Sequence, residues 1–272
     1  MVLPELEGEL KMPATRKVLM LHGYTQNASI FSKHLGALRQ SIGKDVELVF
    51  VDGPVVLRPV DVGGSLTSTS LAGLGAEANA TSTATPRAWW KMNWETRFTS
   101  ESGLDDSEAV PYLRDILRRD RYDGVFGFSQ GAAMAAVLSA LLERPHAYPS
   151  FLIDGEAPHP PFKFCVCVAG FKPAGSLSVE LFRTSYFTPT LHVLGRTDVS
   201  VVEERSKIFL NLSQNKRVEE HVGGHFVPSR GKWREIFRNY LLDPLEVIPS
   251  PTLQPAINSF SASEIDSPGI TY

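Results

Sequence analysis

The chain of 272 residues is long enough to bury a substantial core, and its 43% hydrophobic content is ordinary for a folded soluble protein. A formal net charge of -3, with no basic patch, argues against a nucleic-acid or anionic-membrane partner. No apolar run reaches the length of a membrane span, and the acidic opening lacks the apolar core of a signal peptide, so a cytoplasmic protein is expected.

Residues 1–15 read as a loose lead-in. Lys17-Val-Leu-Met-Leu21 is a short apolar run ending at His22-Gly23, the pattern of a buried parallel strand. Apolar residues at Ile30, Phe31, Leu35 and Leu38 predict a helix over 28–41. Val46–Val51 is a second strand, closed by Asp52-Gly53-Pro54. Residues 61–88 are dominated by Gly, Ser, Thr and Ala without periodicity, and form a long irregular insertion. Arg87-Ala-Trp-Trp-Lys-Met-Asn-Trp94 then packs three tryptophans into six positions, which suits either a core cluster or a substrate wall. A helix from about Ser107 to Arg119 follows, with Pro111 near the start of its regular part.

Asp123–Leu138 organises the rest. A short apolar run tightens into Gly127-Phe-Ser-Gln-Gly131 and continues as an alanine-rich helix: strand, sharp turn, helix, with Ser129 at the apex. The glycines two residues to either side leave room where side chains would collide with the neighbouring strand and helix. Downstream, Lys163–Val168 is a fourth strand containing Cys165 and Cys167, read as two small buried thiols too close in sequence to bridge. Pro189–Leu194 is a fifth strand, ending in Gly195-Arg-Thr-Asp198. A helix from Val201 to Leu212 leads to a sixth strand, Arg217–Val222, then Gly223-Gly-His-Phe-Val-Pro228 and a closing helix over 232–242. Six strands alternating with helices imply an α/β fold with a mainly parallel sheet and helices on both faces. A single domain over 1–243 is expected, with a Pro- and Ser-rich tail over 244–272.

Functional groups in such sheets collect at the carboxyl ends of strands. Ser129 follows strand three, Asp198 strand five and His225 strand six, so all three fall on one edge in the chain order Ser, Asp, His. That order and placement suit a nucleophile, a base and the acid that orients it. His22, His34, His146, His159, His192 and His221 sit in an early loop, on helices and strands, or in connecting segments. Asp52 ends a different strand and Asp154 lies in a Pro-flanked loop. The remaining need is an oxyanion hole, for which the backbone N–H groups of Gln130 and Tyr24 are the candidates. Trp89 and Trp90, with Phe226, are candidate substrate contacts. No His/Cys/Asp/Glu cluster has ligand spacing, so no metal and no other cofactor is expected.

Leu21-His-Gly-Tyr-Thr-Gln-Asn27, Asp52-Gly-Pro54, Arg87-Ala-Trp-Trp90, Tyr122–Ala132, Pro161-Phe-Lys-Phe164 with Gly170-Phe171, Gly195-Arg-Thr-Asp198 and Gly223–Pro228 recur in order with characteristic spacing. Together they resemble the fungal serine hydrolase (FSH) family from about Lys17 to Leu242. The resemblance implies an α/β-hydrolase with Ser129 as nucleophile, His225 as base and Asp198 as acid. It also implies an esterase acting on small-molecule acyl esters, or a thioesterase releasing an acyl or polyketide chain from coenzyme A or an acyl-carrier protein.

Overall fold

The structure, a computed structural model, describes residues 15–58, 85–92, 104, 108–247 and 249–251. Most of the insertion read at 61–88, Trp94, and the tail beyond 251 lie outside the described residues. In chain order the elements are β1 (Arg16–Leu21), α1 (Ala28–His34), α2 (Gly36–Ile42), β2 (Val46–Val51), β3 (Val55–Val56), β4 (Arg87–Ala88), α3 (Ala109–Arg119), β5 (Gly124–Phe128) and α4 (Gln130–Glu143). They continue with β6 (Phe164–Val168), α5 (Ser176–Leu181), β7 (Thr190–Gly195), α6 (Glu203–Leu210), β8 (Lys216–His221) and α7 (Lys232–Leu242), plus two single 3₁₀ turns between α4 and β6.

Six strands form one sheet in the order β2-β1-β5-β6-β7-β8, and every pairing in it is parallel. Period-two alternation sends successive side chains to opposite faces. Leu19, Leu21, Val125, Cys165 and Cys167 pack on one face beneath α3 and α4, while Val18, Met20, Phe126, Phe164 and Val166 pack on the other with α1, α2 and α7. Both faces are therefore dry, which is why these strands read as continuous apolar runs. Cys165 and Cys167 are buried free thiols.

The helix expected over 28–41 is two helices. Leu35 leaves helical geometry at ψ 14°, the chain turns, and Gly36 starts α2. Pro111 is the third residue of α3, within the first turn, where a missing N–H costs nothing. Helix α5 and the short β3–β4 ladder were not anticipated; the ladder pairs Val55 with Ala88 and Val56 with Arg87, antiparallel. It brings the Trp89-Trp90 stretch back to the carboxyl edge of the sheet, beside the turn at Gly53.

Candidate active site

At the end of β5 the chain reverses through Ser129, which holds φ 54°, ψ −116°, a region that side chains ordinarily avoid. Its N–H donates to Val168 O at 2.8 Å, tying the turn to the end of β6. The flanking glycines make the turn possible. A Cβ on Gly127 would lie 2.1 Å from Gly131 O, and one on Gly131 would lie 2.1 Å from Leu21 O. Helix α4 can therefore start directly against β1 and β5, with only the Ser129 side chain thrown outward.

His225 reaches Ser129 from the loop after β8. Its Nε2 lies 2.9 Å from Ser129 Oγ and its Nδ1 2.7 Å from Asp198 Oδ2. A carboxylate can only accept, so Nδ1 carries the proton and Nε2 is left as an acceptor facing the hydroxyl. The other Asp198 oxygen accepts from Ser200 N–H (2.8 Å) and Val201 N–H (2.9 Å). Burial opposes ionisation of this carboxyl, but the His225 hydrogen bond and charge and the two amides outweigh it and hold it below its ordinary value. Phe128 lies against the His225 ring, centroids 5.0 Å apart. The loops after β7 and β8 are joined by Arg196 N–H to His221 O (2.9 Å) and Thr197 N–H to Gly223 O (3.2 Å).

Tyr24 lies in the loop after β1, which folds back through Gln26 N–H to Gly23 O (3.1 Å) and Gly23 N–H to Gln26 Oε1 (3.1 Å). His22 anchors that loop. Gly53 N–H donates to its Nε2 at 2.8 Å, which fixes the proton on Nδ1, and Nδ1–H donates to Gly23 O at 2.8 Å. Burial pushes this imidazole down to about 4, so it stays neutral. Gln130 opens α4, where the first N–H groups have no helical acceptor. Its carboxamide is fully buried and spans the peptide groups of Trp89 and Trp90. Nothing in the local sequence marks this role, because the partners lie 40 and 41 residues away.

Trp89 is placed in the core with no exposed surface. Trp90 is nearly buried and meets Phe171 edge-on at 6.2 Å, with the Arg205 guanidinium 4.6 Å over the far ring. Phe226, beside His225, is half exposed and packs on His221 at 4.7 Å. Asp52 does not join this group: its Oδ1 accepts from Ala28 N–H at 2.8 Å. Among the described residues, no three His, Cys, Asp or Glu side chains come together as a metal-ligand set. No helix among them is long and apolar enough to cross a membrane.

A parallel sheet sandwiched by helices, with a strained serine between β5 and α4, defines an α/β-hydrolase. More narrowly, residues 12–237 match the family described as Serine hydrolase (FSH1), and the chain belongs to that family. It is 31% identical over 240 residues to "Dihydrofolate reductase" of Schizosaccharomyces pombe, a match spanning 88% of this chain and only 48% of that longer protein. It is likewise 31% identical over 234 residues to "Esterase OVCA2" of Danio rerio, covering 83% of this chain and 96% of the relative. Among solved structures, Zea mays acyl-protein thioesterase 2 superposes with a TM-score of 0.51 at 16% identity over 85% of this chain and 94% of its own, a likeness of fold.

Proposed function

We propose that this protein is a carboxylesterase that hydrolyses esters of apolar acyl groups through an acyl-enzyme on Ser129. The observation that carries the reading is the unbroken relay from Ser129 Oγ to His225 Nε2 (2.9 Å) and from His225 Nδ1 to Asp198 Oδ2 (2.7 Å). Ser129 Oγ attacks the ester carbonyl as its proton passes to His225 Nε2. Asp198 stabilises the imidazolium, and the amides of Gln130 and Tyr24 receive the oxyanion. Collapse expels the alcohol, which takes the proton from His225. Water then attacks the acyl-enzyme with His225 again as base, releasing the acid and restoring the hydroxyl.

An apolar acyl group is favoured by the surroundings. Val199 and Val222, with Phe226, are exposed on the two loops that carry Asp198 and His225. Phe226 and the edge of Trp90 are the contacts we assign to the acyl chain. Trp89 has no surface to offer it. Membership of a serine hydrolase family and the likeness to a named esterase support the reaction class.

Ser129→Ala tests the proposal. It is expected to fold, to resist labelling by a fluorophosphonate, and to lose ester turnover by about 10³-fold or more. Undiminished turnover would remove the mechanism. Parallel assays on acyl esters and acyl thioesters of graded length then decide the leaving group.

A further inference from the structure

The stretch Thr85–Trp90 supplies no nucleophile, proton carrier or oxyanion donor to the reaction above, yet it is bonded on both sides to the segments that do. Toward the loop after β1, Thr85 O accepts from Asn27 Nδ2 (3.1 Å), Arg87 N–H donates to Gln26 O (2.9 Å), and the Trp89 indole Nε1–H donates to His22 O (2.8 Å). Toward the elbow, Gln130 Oε1 accepts from Trp89 N–H (2.9 Å) and Gln130 Nε2 donates to Trp90 O (2.8 Å). We propose that Trp89 is a positioning residue for the oxyanion hole, splinting the loop that carries Tyr24 to the elbow that carries Gln130. This rests on the serine-hydrolase reading of Ser129.

Two amides stabilise an oxyanion only if both aim at one point, and they come here from segments more than a hundred residues apart. One belongs to a helix start held rigidly in the core; the other belongs to a loop, the less rigid kind of segment. Trp89 crosses that gap with both of its donors, the main-chain N–H to Gln130 and the indole N–H to His22. The His22 carbonyl belongs to the peptide that leads into the turn holding Tyr24, so fixing it fixes the direction of that turn. His22, Trp89, Trp90 and Gln130 are all buried, so breaking one of the bonds among them leaves a partner unsatisfied and forces a local shift. The Gln130 side chain needs both an acceptor and a donor to pair with the Trp89–Trp90 backbone, which a carboxamide alone provides at this length.

A tryptophan that served packing alone would behave differently. Its loss would lower stability and leave the chemistry of each folded molecule unchanged. Trp89→Phe, which keeps a large ring and removes the indole donor, separates the two. With p-nitrophenyl butyrate, kcat per active serine, counted by exhaustive fluorophosphonate labelling, should fall about 10- to 100-fold while KM moves by no more than about twofold. Affinity for phenylboronic acid, whose serine adduct places an oxygen in the hole, should fall by the same factor as kcat. Gln130→Met, which cuts the other two bonds, should reproduce the pattern, and the double variant should be little worse than the poorer single. If Trp89→Phe does not fold, Gln130→Met decides alone. A kcat per labelled serine within about twofold of the parent, or boronate affinity unchanged while kcat falls, overturns the proposal. Full turnover in Ser129→Ala would instead overturn the hydrolase reading, whatever the Trp89 variant does.

Discussion

Asp198 divides its carboxylate between two tasks. One oxygen orients His225 and the other holds the turn that enters α6. Asp198→Asn should therefore keep the fold, since an amide oxygen can still accept from Ser200 and Val201. Its amide nitrogen would face His225 Nδ1, turn the tautomer round, and cut the acylation rate by about 10²- to 10⁴-fold. Asp52→Asn should change acylation far less, and pre-steady-state kinetics on both variants would expose a reversed order. His22 makes a separate prediction about stability. Burial pushes it down to about 4 in the fold, against 6.5 for the free ring. Between those values the unfolded chain holds a proton that the folded chain refuses, so stability falls as pH drops through that window. The loss is roughly 3 kcal/mol for this ring alone. Urea unfolding at pH 7 and pH 4.5 should show it, and His22→Gln should flatten the slope; an equal slope in both proteins would sink the argument. The positions of Ser129, Asp198 and His225 at strand ends were legible because strand and helix signals alone dictate them. The carboxamide of Gln130 was not, since its partners lie in a stretch without periodicity.

At the level of elements, the sequence pattern located all six strands of the large sheet, and the closing helix to the residue. Failures cluster where pieces are short. Six residues of α5 and two-residue strands carry too little pattern to stand out from a loop. The break at Leu35 was hidden because Phe31, Leu35 and Leu38 are all buried on the same side, as they would be in one continuous helix. Two glycines make opposite predictions here. Gly131→Ala would drive a methyl into the β1 carbonyls, which cannot yield, and should cost at least about 3 kcal/mol. Gly36→Ala at the start of α2 meets nothing within 4 Å and should add about 0.4 to 1 kcal/mol by restricting the unfolded chain. Thermal melts of the pair test whether contact distance, rather than residue type, decides the sign.

For the whole molecule, the sheet order places the groups we propose to act on substrate along one rim, with β5 between the Tyr24 loop after β1 and the Asp198 and His225 loops beyond β6. The exposed valines and Phe226 on that rim predict a preference for longer acyl chains. Catalytic efficiency should rise from acetyl to medium-chain esters by up to about 0.8 kcal/mol for each methylene sequestered, until the site is full. Trp90→Ala should flatten that rise more than it lowers acetyl-ester turnover. A parallel, unflattened profile in the variant would return Trp90 to the core.

Ser129 and His225 are 96 residues apart in the chain. At ordinary rates of translation the ribosome makes the nucleophile about 5 to 20 s before its base. On the roles proposed here, a nascent chain that has folded its first strands carries an exposed serine with no means of activating it. Hydrolysis then begins only when β7 and β8 have joined the edge of the sheet. A growing chain is thus harmless to esters until the loop after β8 has been made and folded. Ribosomes stalled before the His225 codon, or far enough past it for the loop after β8 to have left the exit tunnel, would show this directly, because only the second set should react with a fluorophosphonate.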